Sequence, residues 1–231
     1  MAWLIGVALA GAVAAALYHA CSVPSSQILG PTLVRRDAVG NRVALTFDDA
    51  PAHPFTAQIL DILRNPRVGA AFFVCGKSVE RFPDLFQRMR VENHVIGNHT
   101  YSHPLLYLKT RSRMAEEIDR TQAAIEGAAG VRPRIFRSPH GVRWFGLFDV
   151  LAERGLSAVQ RSVASFDWQK KGCPAALARL RPGSVILMHD GREPRSPDQV
   201  DAAVTVAALP AIIEGARKAG LEFVSVDEFL A

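Results

Sequence analysis

Residues 42–74, RVALTFDDAPAHPFTAQILDILRNPRVGAAFFV, decide the architecture. Two short apolar runs, 42–47 and 70–74, flank a stretch at 55–64 whose pattern is helical rather than alternating. Strand, helix, strand in that order implies a crossover, and crossovers join parallel strands. The pattern continues towards the C-terminus. Further strands are expected at 94–97, 135–137, 157–163, 184–188 and 222–226, which makes seven in all. Helices are expected near 83–91, 113–128, 145–154 and 200–219, and only a short one fits around 174–180. Gly155 and Gly220 stand where two of these helices should be capped. The class is therefore α/β with parallel strands, as a (β/α) barrel or an open doubly wound sheet.

The 231 residues, 49% hydrophobic and 21% charged, suit one globular catalytic domain. A net charge of +5 invites an anionic partner such as cell-wall polymer or nucleic acid, but no Lys/Arg run exceeds two residues. A solvated basic surface is the expectation, with no nucleic-acid partner. Cys21, Cys75 and Cys173 are too few and too scattered for a zinc cluster or a disulfide framework. Residues 2–17, AWLIGVALAGAVAAAL, carry no charge, and extension to Val23 gives the roughly 20 residues that span a bilayer. Residues 1–23 are thus a signal anchor, or a signal peptide cleaved near the small residues Ala14 and Ala16. Tyr18 and His19 before Cys21 do not fit a lipoprotein signal. Arg35, Arg36 and Arg42 follow the apolar stretch and none precedes it, a bias that on its own would retain the chain in the cytoplasm. Residues 24–41 read as a linker, and 42–231 as the catalytic domain.

In a barrel, reactive groups belong just after the strands. Asp48 and Asp49 end the first strand, His99 and His103 follow the third, Arg137 ends the fourth, Asp167 and Trp168 follow the fifth, and His189 with Asp190 ends the sixth. An Asp-Asp pair alone is more often a turn, and a lone strand-end histidine more often structural. His-x-x-x-His is more specific, because i,i+4 spacing puts two imidazoles on one face of a helical turn, as a metal requires. The coincidence of five strand-end signals carries the argument.

In TFDDAP (46–51), HTYSHP (99–104), RSPHG (137–141), FDW (166–168) and LMH (187–189), the chain resembles the polysaccharide deacetylases with a NodB homology domain, carbohydrate esterase family 4. The resemblance covers about residues 42–226 and implies a distorted (β/α) barrel of about seven strands. It implies further that Asp49, His99 and His103 hold a divalent metal, usually zinc, with cobalt, nickel or manganese also acceptable to such ligands. By the same resemblance Asp48 is the general base, Arg137 its partner, His189 the general acid and Asp167 the residue orienting His189. A backbone N-H near His140 would stabilise the oxyanion. Trp168, next to Asp167, either forms one wall of the substrate cleft, since an indole face suits a sugar ring, or packs in the core. The implied reaction removes N-acetyl groups from N-acetylglucosamine units, in chitooligosaccharide or peptidoglycan. An O-acetyl esterase of the xylan type and a non-catalytic glycan-binding barrel are the alternatives. Such substrates place the domain outside the cytoplasmic membrane, anchored by the first segment or secreted, and a monomer is expected.

Four positions depart from the family pattern: Ala50 stands where glycine is usual, Ser138 and His140 where proline and tyrosine are, and Arg161 where relatives carry an aromatic. If 157–163 is one strand, Arg161 shares a face with Val159 and Val163, and must find a partner, reach the cleft or cost stability.

Overall fold

The computed structural model describes residues 1–64, 68–167, 174–191 and 202–230. Strand β2 (Arg42–Ala50) is the axis of the fold. It runs parallel to β3 (Ala70–Val74) on one side and to β8 (Val185–His189) on the other, and its first residues also pair with β9 (Glu222–Val224). From β3 the sheet continues through β4 (Val95–Asn98), β5 (Ile135–Phe136) and β6 (Ser157–Val159) to β1 (Thr32–Leu33), while β7 (Val163–Ala164) lies beyond β8. All of these strand pairs are parallel. The crossovers carry helices α2 (Phe55–Arg64), α3 (Gly76–Arg81), α4 (Pro83–Val91), α5 (Arg111–Ala129), α6 (Leu147–Glu153), α7 (Pro174–Leu177) and α8 (Ala203–Lys218).

Period-two alternation explains why β2 is buried along nearly its whole length. Leu45 and Phe47 face outward into the core beneath α2, α4 and α8, where Phe47 stacks on Phe72 with ring centroids 5.0 Å apart. Burying one such ring stabilises the fold by about 1.5–3 kcal/mol. Ala44 faces the opposite way, into a second core with Ala71, Phe73, Val159 and Val185. Thr46 and Asp48 share that inner face, so the strand that builds both cores also aims a carboxylate into the mouth of the barrel.

The run expected as a single strand at 157–163 is two strands. The N-H of Gln160 donates to the carbonyl of Leu33 in β1 at 2.7 Å, and the N-H of Ser162 donates to Val185 in β8 at 3.1 Å. The chain therefore changes partners between these residues and touches both edges of the sheet, curling it into an incomplete, distorted barrel. Arg161 sits at the change-over, so the expected alternation with Val159 and Val163 does not apply. Its guanidinium is partly buried against Gly141 and Gln160, and it forms no ion pair among the described residues. The split and the addition of β1 give nine strands among the described residues, where seven were expected. Helix α3 was also not expected, being six residues long and too short to show a period. Gly155 and Gly220 both adopt the left-handed conformation that ends a helix.

Helix α1 (Ala2–Ser22) precedes the sheet, and its stretch Trp3–Ser22 is long and apolar enough to cross a membrane. The segment expected as a linker at 24–41 is partly built into the fold. Thr32 and Leu33 pair in register with Ala158 and Val159, and the N-H of Arg36 donates to Gly183 at 3.1 Å. Gly183 permits this approach: a Cβ there would lie 1.8 Å from the Arg36 carbonyl oxygen.

Candidate active site

The ends of β2, β4, β5, β7 and β8 and the loops after them bring Asp48, Asp49, His99, His103, Arg137, Asp167 and His189 together. Asp48 stands directly opposite His189 in the β2–β8 ladder. Between Asp48 and Ala50 the pairing with β3 slips by a residue, and Asp49 takes a left-handed φ of 76°. That slip turns two consecutive carboxylates into different surroundings. Aspartate tolerates the left-handed region better than most residues, and because the unusual angle falls on Asp49, Ala50 fills the usual glycine position without it.

Asp48 is an acceptor for Arg137, whose Nη1 donates to its carboxylate at 2.7 Å and to Thr46 Oγ1 at 2.8 Å. The Arg137 guanidinium is buried, lies over the Phe73 ring and also donates to the carbonyls of Val159 and Gln160. Burial would raise the Asp48 carboxyl pKa, but Arg137, His99 and His189 together outweigh it and hold the group below its ordinary value.

Asp49, His99 and His103 form the second group, buried, with one ligand atom from each lying within 4.8 Å of the others. His103 Nε2 is 3.2 Å and His99 Nε2 3.7 Å from Asp49 Oδ1. His99 Nδ1 is fixed by the Arg137 carbonyl at 2.7 Å, which turns Nε2 towards the carboxylates. Burial pushes the His99 pKa down to about 4, so its imidazole is neutral near pH 7. One carboxylate and two imidazoles at this spacing are a donor set for a divalent metal, with coordination positions left over. The helical turn expected for His-x-x-x-His is absent. Thr100 and His103 have positive φ, and a loop of alternating conformations brings the two rings to 4.9 Å.

Asp167 and His189 form the third group. Asp167 accepts from the His189 backbone N-H at 2.6 Å and from Thr205 at 2.7 Å, and its other oxygen lies 2.8 Å from His189 Nδ1. Burial would lower the His189 pKa, but the Asp167 hydrogen bond and charge, with Asp49 and Asp48, push it up to about 9. His140, at a left-handed φ of 55°, is exposed and packs its ring 4.6 Å from that of His103. Trp168 lies outside the described residues.

Two further buried carboxylates support the site. Glu117 on α5 is buried and accepts from the backbone N-H groups of Tyr101 and Ser102, from the Ser102 hydroxyl at 2.9 Å and from Arg113. It thus holds the loop between His99 and His103. Asp190 is buried next to Asp49, where Thr56 donates to it, and burial pushes its carboxyl pKa up to about 8. Asp190 stood out in the sequence as a strand-end carboxylate, whereas Glu117 gave no signal there, because the periodicity of its segment reports only a helix. Glu117→Ala is expected to destabilise the protein by about 2–5 kcal/mol, since each buried polar group left without a partner costs about 1–3 kcal/mol. Denaturant unfolding at constant m-value measures this, and a near-neutral variant would show that the loop is held by other contacts.

Residues 35–159 match the polysaccharide deacetylase family. The chain belongs to it. The chitooligosaccharide deacetylase of a Bradyrhizobium species is 37% identical to this deacetylase-family chain over 197 residues, covering 80% of the chain and 90% of the relative. A peptidoglycan-N-acetylglucosamine deacetylase of Bacillus cereus is 37% identical over 190 residues, 80% of the chain, and the chain spans 66% of that relative. The crystal structure of a peptidoglycan N-acetylglucosamine deacetylase bound to a naphthalenyl N-hydroxybenzamide superposes with a TM-score of 0.79 at 33% identity, covering 86% of the chain and 92% of that structure. The curled parallel sheet is the fold of this family.

Proposed function

We propose that the protein is a metal-dependent hydrolase that removes acetyl groups from N-acetylglucosamine units of a polysaccharide of the chitooligosaccharide or peptidoglycan type. The observation that carries this reading is the division of the site into a buried Asp-His-His cluster, flanked on one side by an ionised carboxylate and on the other by a protonated imidazole. Asp49, His99 and His103 would hold the ion, with zinc the best match to two imidazoles and one carboxylate. When bound, a divalent cation supplies Lewis acidity that polarises the acetamide carbonyl and makes water a better nucleophile.

This chain's own residues supply the proton transfers. Asp48, kept ionised by Arg137, accepts a proton from the attacking water. The Arg137 pair also fixes the carboxylate in one orientation, so it need not reorganise during the step. His189, held by Asp167 through Nδ1, presents Nε2 and donates its proton to the departing amine. Without that proton the C-N bond would break to give a poor leaving group. A backbone N-H near His140 would support the oxyanion, and the products are acetate and a free amino sugar. Trp168 would wall the cleft. The Trp3–Ser22 helix serves as a membrane anchor, with the catalytic domain on the outer side, where these polymers lie.

Acetate release from N-acetylated chitooligosaccharides and from peptidoglycan, set against O-acetylated xylan, tests the reading. Release from the amides is expected, with loss on chelation and recovery on adding zinc. Hydrolysis of the esters alone would make the enzyme an esterase, and no release from any acetylated glycan by the metal-loaded protein would overturn catalysis.

A further inference from the structure

The end of helix α1 is fastened to the catalytic domain beside the site. Ala20 and Cys21 are buried, unlike the exposed apolar residues earlier in the helix. The Arg143 backbone N-H donates to the carbonyl of Cys21 at 2.9 Å, and its buried guanidinium donates to the carbonyls of Ser26 at 2.7 Å, Pro24 at 3.4 Å and Val23. A cation on carbonyls at and just past a helix C-terminus also meets the negative end of its dipole. Ser22 is hydrogen-bonded to the Tyr107 hydroxyl. No free tether therefore separates the helix from the domain.

Around that junction lies an apolar rim. Tyr107 packs edge-on against Trp144 at 5.5 Å, and Trp144 against Phe145 at 5.2 Å. Phe145 is 53% exposed, Leu105 47% and Leu108 82%, although each is next in sequence to a more buried aromatic or aliphatic residue. Lys109 is exposed beside Leu108. A helix of 21 residues is about 31 Å long at 1.5 Å per residue, the thickness of the hydrocarbon core. With Trp3–Ser22 across the bilayer, Ser22 stands at its outer boundary, and whatever bonds to Ser22 stands at headgroup level. Aromatic rings with polar edges and apolar faces partition to that level, and a lysine beside them suits anionic lipid phosphates.

We propose that the rim formed by Leu105, Leu108, Trp144 and Phe145 docks into the outer bilayer interface next to the anchor helix, holding the catalytic cleft at the membrane surface. The inference rests on α1 being retained as a membrane anchor. His103 lies two residues before Leu105, and His140 three before Arg143, so the two loops that meet the lipid are those that carry the candidate site. The substrate then has to be an N-acetylated glycan within reach of the headgroups.

The full chain, carrying Cys173→Ser and either Phe145→Cys or Leu108→Cys, would be reconstituted into phosphatidylethanolamine and phosphatidylglycerol vesicles and labelled with an environment-sensitive fluorophore. Val91→Cys, at an exposed apolar position on α4, is the reference. Labels at 145 and 108 are expected to be quenched several-fold more by lipid-borne quencher than by aqueous quencher, and the label at 91 the reverse. If all three labels report water while the chain stays in the vesicles, the docking proposal is overturned and the anchor reading stands. If the N-terminus of the mature chain lies beyond the helix, the anchor reading fails and takes the proposal with it.

Discussion

Asp48→Asn is expected to keep its metal and lose roughly 10² to 10⁴ in turnover, the usual contribution of a general base. Asp49→Asn is expected to lose metal and activity together, with partial recovery at high metal concentration. The difference is expected because the slip in the β2–β3 ladder gives each carboxylate different surroundings. Asp48 is engaged by Arg137 at 2.7 Å, whereas Asp49 Oδ1 faces His103 and His99. Asparagine also tolerates the left-handed φ of Asp49, so that substitution removes charge with little added strain. Asp48→Asn has a structural cost as well, because it leaves the Arg137 guanidinium as a buried charge without its counter-ion, and breaking such pairs costs about 3–5 kcal/mol. Thermal unfolding of each variant therefore has to accompany its metal content and acetate-release rate. If both folded variants retain metal and near-normal rates, the proposed mechanism is wrong.

Asp167→Asn should move the alkaline limb of the pH–rate profile to lower pH. In the parent protein His189 is raised to about 9 against the opposing effect of burial, and the hydrogen bond and charge of Asp167 are its largest support. The acid form needed to protonate the amine is therefore present at neutral pH and disappears as pH rises through that value. An asparagine can still accept from Nδ1 but no longer supplies charge, so burial prevails and the imidazole falls towards or below its ordinary value of about 6.5. Activity near neutral pH is then expected to drop by roughly tenfold or more, with partial recovery on acidification. A cation bound at Asp49 would lower the limb in both proteins without reversing their order. Superimposable profiles of kcat/KM against pH for variant and parent would exclude His189 as the acid that Asp167 sustains.

The parallel α/β character, five of the helices and the strand ends that carry Asp48, His99 and His189 were legible from residue order, because burial on both faces of a strand and on one face of a helix imposes periods that any sequence displays. The candidate residues were legible for a related reason: charged and imidazole groups placed after apolar strands conflict with burial unless they pair or bind something. Three features were not legible, and each depends on contacts between distant segments. The break at Gln160–Ser162 exists because Leu33 and Val185 accept from neighbouring stretches of one run. The positive φ of Thr100 and His103, in place of the expected helical turn, is compensated by the bonds that Glu117, Asn98 and Arg137 make to that loop. The fastening of α1 by Arg143 joins residues more than a hundred positions apart. Sequence alone thus determined the order of the elements and which reactive side chains stand at the strand ends. The tertiary structure decided their directions and distances, because backbone hydrogen bonds across the sheet and the loops are satisfied only by partners that local periodicity does not encode.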